Sequence, residues 1–328
     1  MFKWAQRIAR ILIVSVTVTF LTFAIITAWY VFGFHSSSRL TPPEVAFWMQ
    51  HSWVTAEHEN FVDLAHELDA LPASSLYFHV GPINEDGTLA DDLEIKPANF
   101  NTLPSTNYAW LGQIRSKIEL SDPEVRATII SSAEWLLDQG FDGIHLDIEP
   151  IRPDDTDFPL LVQEMNAALP GTPISVAMDE WQPDLITQMV ANWYDVSIVS
   201  YWSSEQVVAL MPYVDEFVVM TYDTGFHDPA FFSWWVEQQT IALSKLMDDD
   251  TKLLIALPVY SEGSNFDPEA ENIETGLVGY TRGLTNLRSN SDSIDGIALY
   301  PYWEMDEAEW QVLKTYLDYA IDIPESVE

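Results

Sequence analysis

The chain of 328 residues repeats one pattern along most of its length: a short apolar run, then a stretch with helical periodicity. This alternation predicts parallel strands joined by helices, because a parallel strand needs a crossover before it can re-enter its sheet. Eight runs rich in β-branched and aromatic residues are predicted to be strands: 45–48, 76–80, 108–114, 144–148, 174–178, 217–222, 253–259 and 297–300.

Eight such units within residues 44–328 fit the length of a (β/α)8 TIM barrel, which needs about 250 residues. A doubly wound open sheet is the alternative α/β fold, but no glycine-rich phosphate fingerprint follows an early strand. One intervening helix is marked at both ends, by the capping-box spacing Ser121 to Glu124 and by Gly140. We therefore predict a (β/α)8 barrel over residues 44–328.

The N-terminus carries a different signal. Residues 11–34 contain no charged side chain and are long enough to cross a hydrocarbon core, which takes about 20 residues. Lys3, Arg7 and Arg10 precede this run, and basic residues stay on the cytoplasmic side. We expect a cytoplasmic segment 1–10, a transmembrane signal anchor 11–34, a linker 35–43 and an extracytoplasmic barrel. A cleaved signal peptide is the alternative, although its apolar region usually spans only about 7–15 residues.

Composition excludes several classes of function. The chain has no cysteine, which rules out thiol catalysis and cysteine-ligated metals, and no paired-histidine metal motif is present, so we expect neither metal nor cofactor. All 51 acidic residues lie beyond residue 35, and the formal net charge is −37. This charge repels nucleic acid and anionic lipid, and it also favours solubility, including solubility at high salt.

The decapeptide 141–150, Phe-Asp-Gly-Ile-His-Leu-Asp-Ile-Glu-Pro, carries the chemistry. Side chains alternate across a strand, so His145, Asp147 and Glu149 share one face while the apolar residues between them share the other. Glu149 is the candidate proton donor. Asp147 lies roughly 6–7 Å along the same face, and two carboxylates at that spacing resist double ionisation.

These residues resemble glycoside hydrolase family 18, the chitinase-like barrels. Residues 142–149 match its fourth-strand signature Asp-Gly-x-Asp-x-Asp-x-Glu except at one position, and residues 220–223 read Met-Thr-Tyr-Asp, its sixth-strand signature. The seventh and eighth strands match loosely at 254–260 and 296–300. The resemblance spans about residues 45–305.

The resemblance implies a retaining, substrate-assisted reaction in which the acetamido group of the sugar is the nucleophile. Glu149 would be the general acid and then the base, Asp147 would orient the acetamido nitrogen, and Tyr222 would hydrogen-bond the acetamido oxygen. Tyr300 or Trp303 would form the floor of the sugar site. Aromatic faces suit this role because sugar rings expose apolar C–H surfaces.

Two positions depart from the family pattern. His145 replaces the inner aspartate that shares a proton with the equivalent of Asp147, and it could instead hydrogen-bond Asp147 from within the substrate site. Tyr300 is smaller than the usual tryptophan. Asp223 and Trp181 are further candidates to line the sugar cleft.

The predicted function is hydrolysis of β-linked N-acetylated amino-sugar glycans of the cell-envelope or chitin type. The alternative is a non-catalytic, sugar-binding chitinase-like protein. A third class, a retaining glycosidase with its own carboxylate nucleophile, needs a partner about 5 Å from Glu149, for which Asp223 or Asp179 could serve.

Overall fold

The computed structural model describes residues 13–25, 43–55, 61–69, 71–91, 93–95, 100–181, 202–260 and 266–322. Its eight parallel strands pair in chain order, and β8 pairs with β1 to close a barrel. The strands are β1 Glu44–Met49, β2 Ala73–Pro82, β3 Thr106–Ile114, β4 Gly143–Glu149, β5 Ile174–Met178, β6 Glu216–Met220, β7 Lys252–Pro258 and β8 Gly296–Tyr300. Closure confirms the predicted (β/α)8 barrel and excludes the doubly wound sheet.

Helices follow the strands and cover the outside of the barrel. Those in the described ranges from residue 43 onward are α1 Ser52–Thr55, α2 Phe61–Leu68, α3 Pro123–Asp138, α4 Asp157–Ala168, α5 Ser204–Leu210, α6 Pro229–Leu243, α7 Ile273–Thr285 and α8 Glu307–Asp322. Strand β6 ends two residues before the predicted boundary. Tyr222 and Asp223 therefore lie in the loop at its carboxyl end, which is where barrel enzymes place their functional groups.

Strand alternation divides the core into two layers. In β4, Ile144, Leu146 and Ile148 face outward and pack in the large cluster between the strands and the helices. A smaller cluster fills the barrel interior, and it is rich in aromatic residues. Its aromatic members are Trp48, Tyr77, Tyr108 and Trp110, with Tyr222 and Tyr300 at its edge. This interior layer supports the groups at the mouth of the barrel.

The start of α3 differs by one residue from the predicted capping box. Asp122 is the N-cap, and its carboxylate accepts a hydrogen bond of 2.8 Å from the backbone N–H of Glu124. The hydroxyl of Ser121 instead donates to Glu119. Because Pro123 occupies the first helical position, the cap falls on the residue directly before it. Gly140 has a φ of 106°, which agrees with its predicted role as the stop.

The described part of the predicted anchor, residues 13–25, is helical. Among the helices in the described ranges, none has both the length and the apolar character that a membrane crossing requires. The rest of the predicted span, the segment 1–10 and most of the linker lie outside the described residues.

Candidate active site

Glu149 ends strand β4, and its carboxyl group lies between two others. The carboxyl groups of Asp147 and Asp179 both lie within hydrogen-bonding distance of it. Two carboxyl groups can bond in this way only when one of them holds a proton. Burial, followed by the bond to Asp147 and the negative charges of both neighbours, raises the pKa of Glu149 well above its ordinary value. Burial and the neighbouring carboxyl groups thus favour the protonated form of Glu149.

Asp179 follows the end of β5 and is the third carboxyl group of this cluster. Burial and the charge of Glu180 raise its pKa to about 6, against the opposing effect of hydrogen bonds that include one with the backbone of Ile151. The sequence offered Asp179 as an alternative nucleophile. Its contact with Glu149 depends on the pairing of β4 with β5, which the sequence does not show.

Asp147 is held from the neighbouring strand β3. The indole Nε1 of Trp110 donates a hydrogen bond of 2.8 Å to its Oδ2. In the β3–β4 register, Gly112 lies directly opposite Asp147, and Trp110 lies opposite His145. Sequence reasoning missed Trp110. Its inward position on the third strand, next to a carboxylate on the fourth, was the signal that could have identified it.

His145 shares the inward face with Asp147 and Glu149, but it lies below them and is fully buried. Its Nε2 accepts from the indole Nε1 of Trp48 at 3.2 Å, and its Nδ1 lies 2.8 Å from the hydroxyl of Ser175. The ring stacks on Tyr77 at a centroid distance of 4.1 Å. Both ring nitrogens are therefore occupied by other partners. The predictions that His145 hydrogen-bonds Asp147 and that it contacts the substrate are wrong, because the ring is buried and bonded elsewhere. Burial lowers the pKa of His145 to about 3, so the ring is neutral.

An aromatic wall faces the carboxyl cluster. The rings of Tyr222 and Tyr300 stack almost in parallel, with 5.6 Å between centroids and 12° between planes. Trp303 meets Tyr300 edge-on at 5.9 Å and is 38% exposed, so part of its ring is open to a ligand. Burial, together with Tyr300, Glu149 and Asp147, raises the pKa of Tyr222 well above its ordinary value. The hydroxyl of Tyr222 is thus a permanent hydrogen-bond donor beside the carboxyl cluster.

Asp223 and Trp181 occupy different surroundings. Asp223 is exposed, has a φ of 58°, and accepts a hydrogen bond of 2.7 Å from the hydroxyl of Tyr260, which lies beside Tyr222 and Tyr300. Trp181 donates through its indole to Ser204 at 2.9 Å, and its backbone pairs with the amide of Gln239. The structure thus keeps Asp223 at the aromatic side of the cleft. The hydrogen bonds that hold Trp181 are with residues of α5 and α6, and its contact with a sugar stays a prediction.

A cavity of about 580 Å³ opens on the β1–β2 side of the cleft. His79 lines it, and the ring of His79 packs against Trp110 at a centroid distance of 4.6 Å. Its lining consists of His51, Thr55, His79, Val80, Gly81, Pro82, Ala90, Leu93 and Glu94. The volume falls within the range of small-molecule sites, about 300–1,000 Å³. Within the described residues, no group of three His, Asp or Glu side chains is arranged to hold a metal ion.

The protein is thus a closed (β/α)8 barrel with a cluster of carboxyl groups and an aromatic wall at the carboxyl ends of its strands, where barrel enzymes place their active sites. Residues 116–323 match the family model of glycosyl hydrolases family 18. This match covers more than half of the chain, and the chain belongs to that family. A search of curated proteins found no match.

Three solved structures illustrate the similarity of fold. The chitinase from Chromobacterium violaceum is 14% identical with a TM-score of 0.56, and the alignment covers 84% of this chain and 99% of that one. The Bacillus cereus spore cortex-lytic enzyme SleL is 14% identical with a TM-score of 0.57, covering 85% and 75%. The class V chitinase from Nicotiana tobaccum, solved in complex with NAG4, is 12% identical with a TM-score of 0.51, covering 86% and 98%.

Proposed function

We propose that this protein hydrolyses β-linked N-acetylated amino-sugar glycans, with retention and with assistance from the substrate. The observation that carries the proposal is the position of Glu149, which lies between two carboxyl groups with its pKa raised. A general acid that works near neutral pH needs such an environment.

In the first step, Glu149 gives its proton to the glycosidic oxygen as the bond from that oxygen to the anomeric carbon breaks. The acetamido oxygen of the same sugar attacks the anomeric carbon and forms a cyclic oxazolinium ion. Asp147, held by Trp110, lies next to Glu149 and would accept the acetamido N–H. Tyr222 would donate to the acetamido oxygen. Water then attacks the anomeric carbon, gives its proton to Glu149 and opens the ring.

A nucleophile from the protein itself fits the geometry less well. Retaining enzymes of that kind hold their two carboxyl groups about 5 Å apart, which leaves room for the sugar. Asp179 hydrogen-bonds directly to Glu149, and Asp223 is engaged by Tyr260. A chromogenic β-glucoside that lacks the acetamido group tests the choice. We expect no cleavage of it, whereas cleavage at a comparable rate would favour a protein nucleophile.

We propose glycans of the cell envelope, rather than bulk chitin, as the substrate. The anchor predicted at 11–34 would hold the barrel outside the cytoplasmic membrane, within reach of envelope polymers. SleL, which shares the fold, is a spore cortex-lytic enzyme.

The anchor is testable separately from the chemistry. In spheroplasts of an expressing cell, added protease should digest the barrel while a tag before residue 1 stays protected. The barrel should also remain in the membrane fraction after alkaline carbonate washing. A barrel that is protected from protease, or that is released by the wash, would contradict the anchor.

The central experiment measures turnover of chromogenic di- and tri-N-acetylglucosaminides and of peptidoglycan by the full chain in detergent. Glu149→Gln should lower turnover by at least about 100-fold, since general acid catalysis contributes roughly 10²–10⁴-fold. The matched control is Glu274→Gln, the same change at an exposed residue of α7, which should leave turnover unchanged.

The second candidate function is sugar binding without catalysis, and His145 is the observation that favours it, because it departs from the family signature. Wild-type protein that binds these oligosaccharides but does not cleave them would establish this alternative. If the wild type cleaves them and Glu149→Gln cleaves them equally fast, the acid assignment is wrong.

A further inference from the structure

The inner histidine of β4 leaves Asp147 without the partner that the family signature provides. An indole N–H is a donor only, so Nε2 of His145 must accept from Trp48. The single ring hydrogen then sits on Nδ1 and is donated to Ser175. Ser175 in turn hydrogen-bonds the buried carboxyl group of Glu216. Every hydrogen-bonding atom of the ring is engaged away from Asp147.

Trp110, on the neighbouring strand β3, supplies a partner for Asp147 instead. It pairs in register with His145, yet its indole reaches two residues farther along the barrel to Oδ2 of Asp147. Gly112 leaves this space free because it has no side chain. A Cβ atom at Gly112 would lie 3.3 Å from Nε1 of Trp110 and 3.9 Å from Oδ2 of Asp147.

The indole is fixed by packing on two sides. His79 packs against it at 4.6 Å, and Tyr300 meets it edge-on at 6.4 Å. Trp110 is only 9% exposed, so its ring face is not available to stack on a sugar. Trp110 therefore acts on the site through its N–H, which donates to Asp147.

We propose that Trp110 is a positioning residue, which fixes one oxygen of Asp147 and thereby turns the other toward Glu149 and the acetamido group of the substrate. This inference rests on the proposed function. In the family signature the partner of this aspartate comes from β4 itself; here it comes from β3. Asp147 is consequently held in one orientation, bonded to Glu149, before substrate arrives.

Kinetics give the first test. Trp110→Phe keeps an aromatic ring but removes the five-membered ring with its N–H, and a hydrogen bond to a charged group of this kind corresponds to about 10-fold to 100-fold in kcat. KM should change little, because the indole does not touch the sugar. Gly112→Ala keeps the indole but displaces it, and should give a smaller loss of kcat in the same direction.

The pH profile separates positioning from simple loss of packing. Four ionisable groups face Glu149. They are Asp147 on the same strand, Asp179 after β5, Tyr222 in the loop after β6, and Tyr300 on β8. Once Asp147 is free to turn away, one cause of the raised pKa of Glu149 is lost. The alkaline limb of kcat/KM should then move to lower pH in Trp110→Phe. Trp48→Phe, which removes the donor to His145, should lower the melting temperature and leave that limb in place.

A spectroscopic test does not require the protein to be active. In protein labelled with ¹⁵N at its tryptophan indoles, the Trp110 signal is identified by its loss in Trp110→Phe. It should shift as Glu149, which is bonded to Asp147, changes protonation, and this shift should vanish in Asp147→Asn. An inactive wild type that still shows the shift would refute the proposed function and keep the positioning contact. A Trp110 signal that does not respond to pH, or a Trp110→Phe variant with wild-type kcat and pH profile, would overturn the inference.

Discussion

At the scale of single residues, three carboxyl groups from two strands decide the chemistry of the cleft. Glu149 and Asp147 come from β4, whereas Asp179 comes from the end of β5. Each ionised neighbour makes a second ionisation more costly, and burial removes the water that would otherwise screen them. The cluster therefore retains a proton at a pH where isolated carboxyl groups would have lost theirs.

Asp179 supplies a prediction about pH. Asp179→Asn removes a negative charge beside Glu149 and can place an amide donor in its stead, and both changes favour the ionised form of Glu149. The pKa of Glu149 should fall, so the alkaline limb of the kcat/KM profile should move to lower pH, with activity better retained at acidic than at neutral pH.

The control for that measurement is Glu180→Gln. The charge of Glu180 acts on Asp179 but is not among the causes of the raised pKa of Glu149. Its pH profile should keep the wild-type alkaline limb. An alkaline limb that stays fixed in Asp179→Asn would show that Asp179 does not influence the acid.

At the scale of elements, helix α7 shows how tertiary packing overrides local preference. Glycine normally weakens a helix, yet α7 contains Gly276, Gly279 and Gly283 on successive turns. A Cβ atom at Gly279 would lie 2.4 Å from the backbone oxygen of Ser233, and one at Gly283 would lie 2.4 Å from Cβ of Thr240. Gly279 and Gly283 let α7 approach α6 closely, whereas Gly276 faces Leu257 of β7.

Gly279→Ala is therefore expected to destabilise the protein. The gain in helix propensity is about 1 kcal/mol. Overpacking against a backbone atom costs typically about 1–3 kcal/mol, and at 2.4 Å the higher values apply. The measurement is the urea midpoint of unfolding. Val278→Ala on the exposed side of the same helix serves as the control, and it should change the midpoint little. A higher midpoint for Gly279→Ala would refute the close packing of the two helices.

At the scale of the whole molecule, the large negative charge makes the stability of the fold depend on salt concentration. The chain has 51 acidic residues against 14 lysines and arginines. A net charge of −37 destabilises the compact state by self-repulsion, and dissolved salt screens that repulsion.

Thermal unfolding should report this repulsion directly. We expect the melting temperature to rise as NaCl is raised from about 0.05 M to about 1 M, where the Debye length falls to about 3 Å. Sucrose at matched osmolality is the control, since it strengthens burial without screening charge. A melting temperature that is independent of NaCl would show that repulsion among the acidic residues does not destabilise the folded protein at low salt.

Much of this protein could be predicted from the sequence because the relevant forces are local. Alternation along residues 144–149 determined which side chains face the barrel interior, and the repetition of strand and helix patterns determined the barrel. The start of α3 was missed by one residue, because Ser121 and Asp122 are both good caps and only the position of Pro123 in the folded helix selects between them.

The partners of the site residues were decided by the tertiary structure alone. Nothing local to 141–150 states that Trp110 binds Asp147, that Asp179 joins Glu149, or that His145 is satisfied by Trp48 and Ser175. These contacts arise from the register of neighbouring strands and from the closure of the barrel, which bring together residues far apart in the chain. Local alternation along the chain predicts which groups face the barrel interior, whereas closure of the sheet brings the interacting groups together.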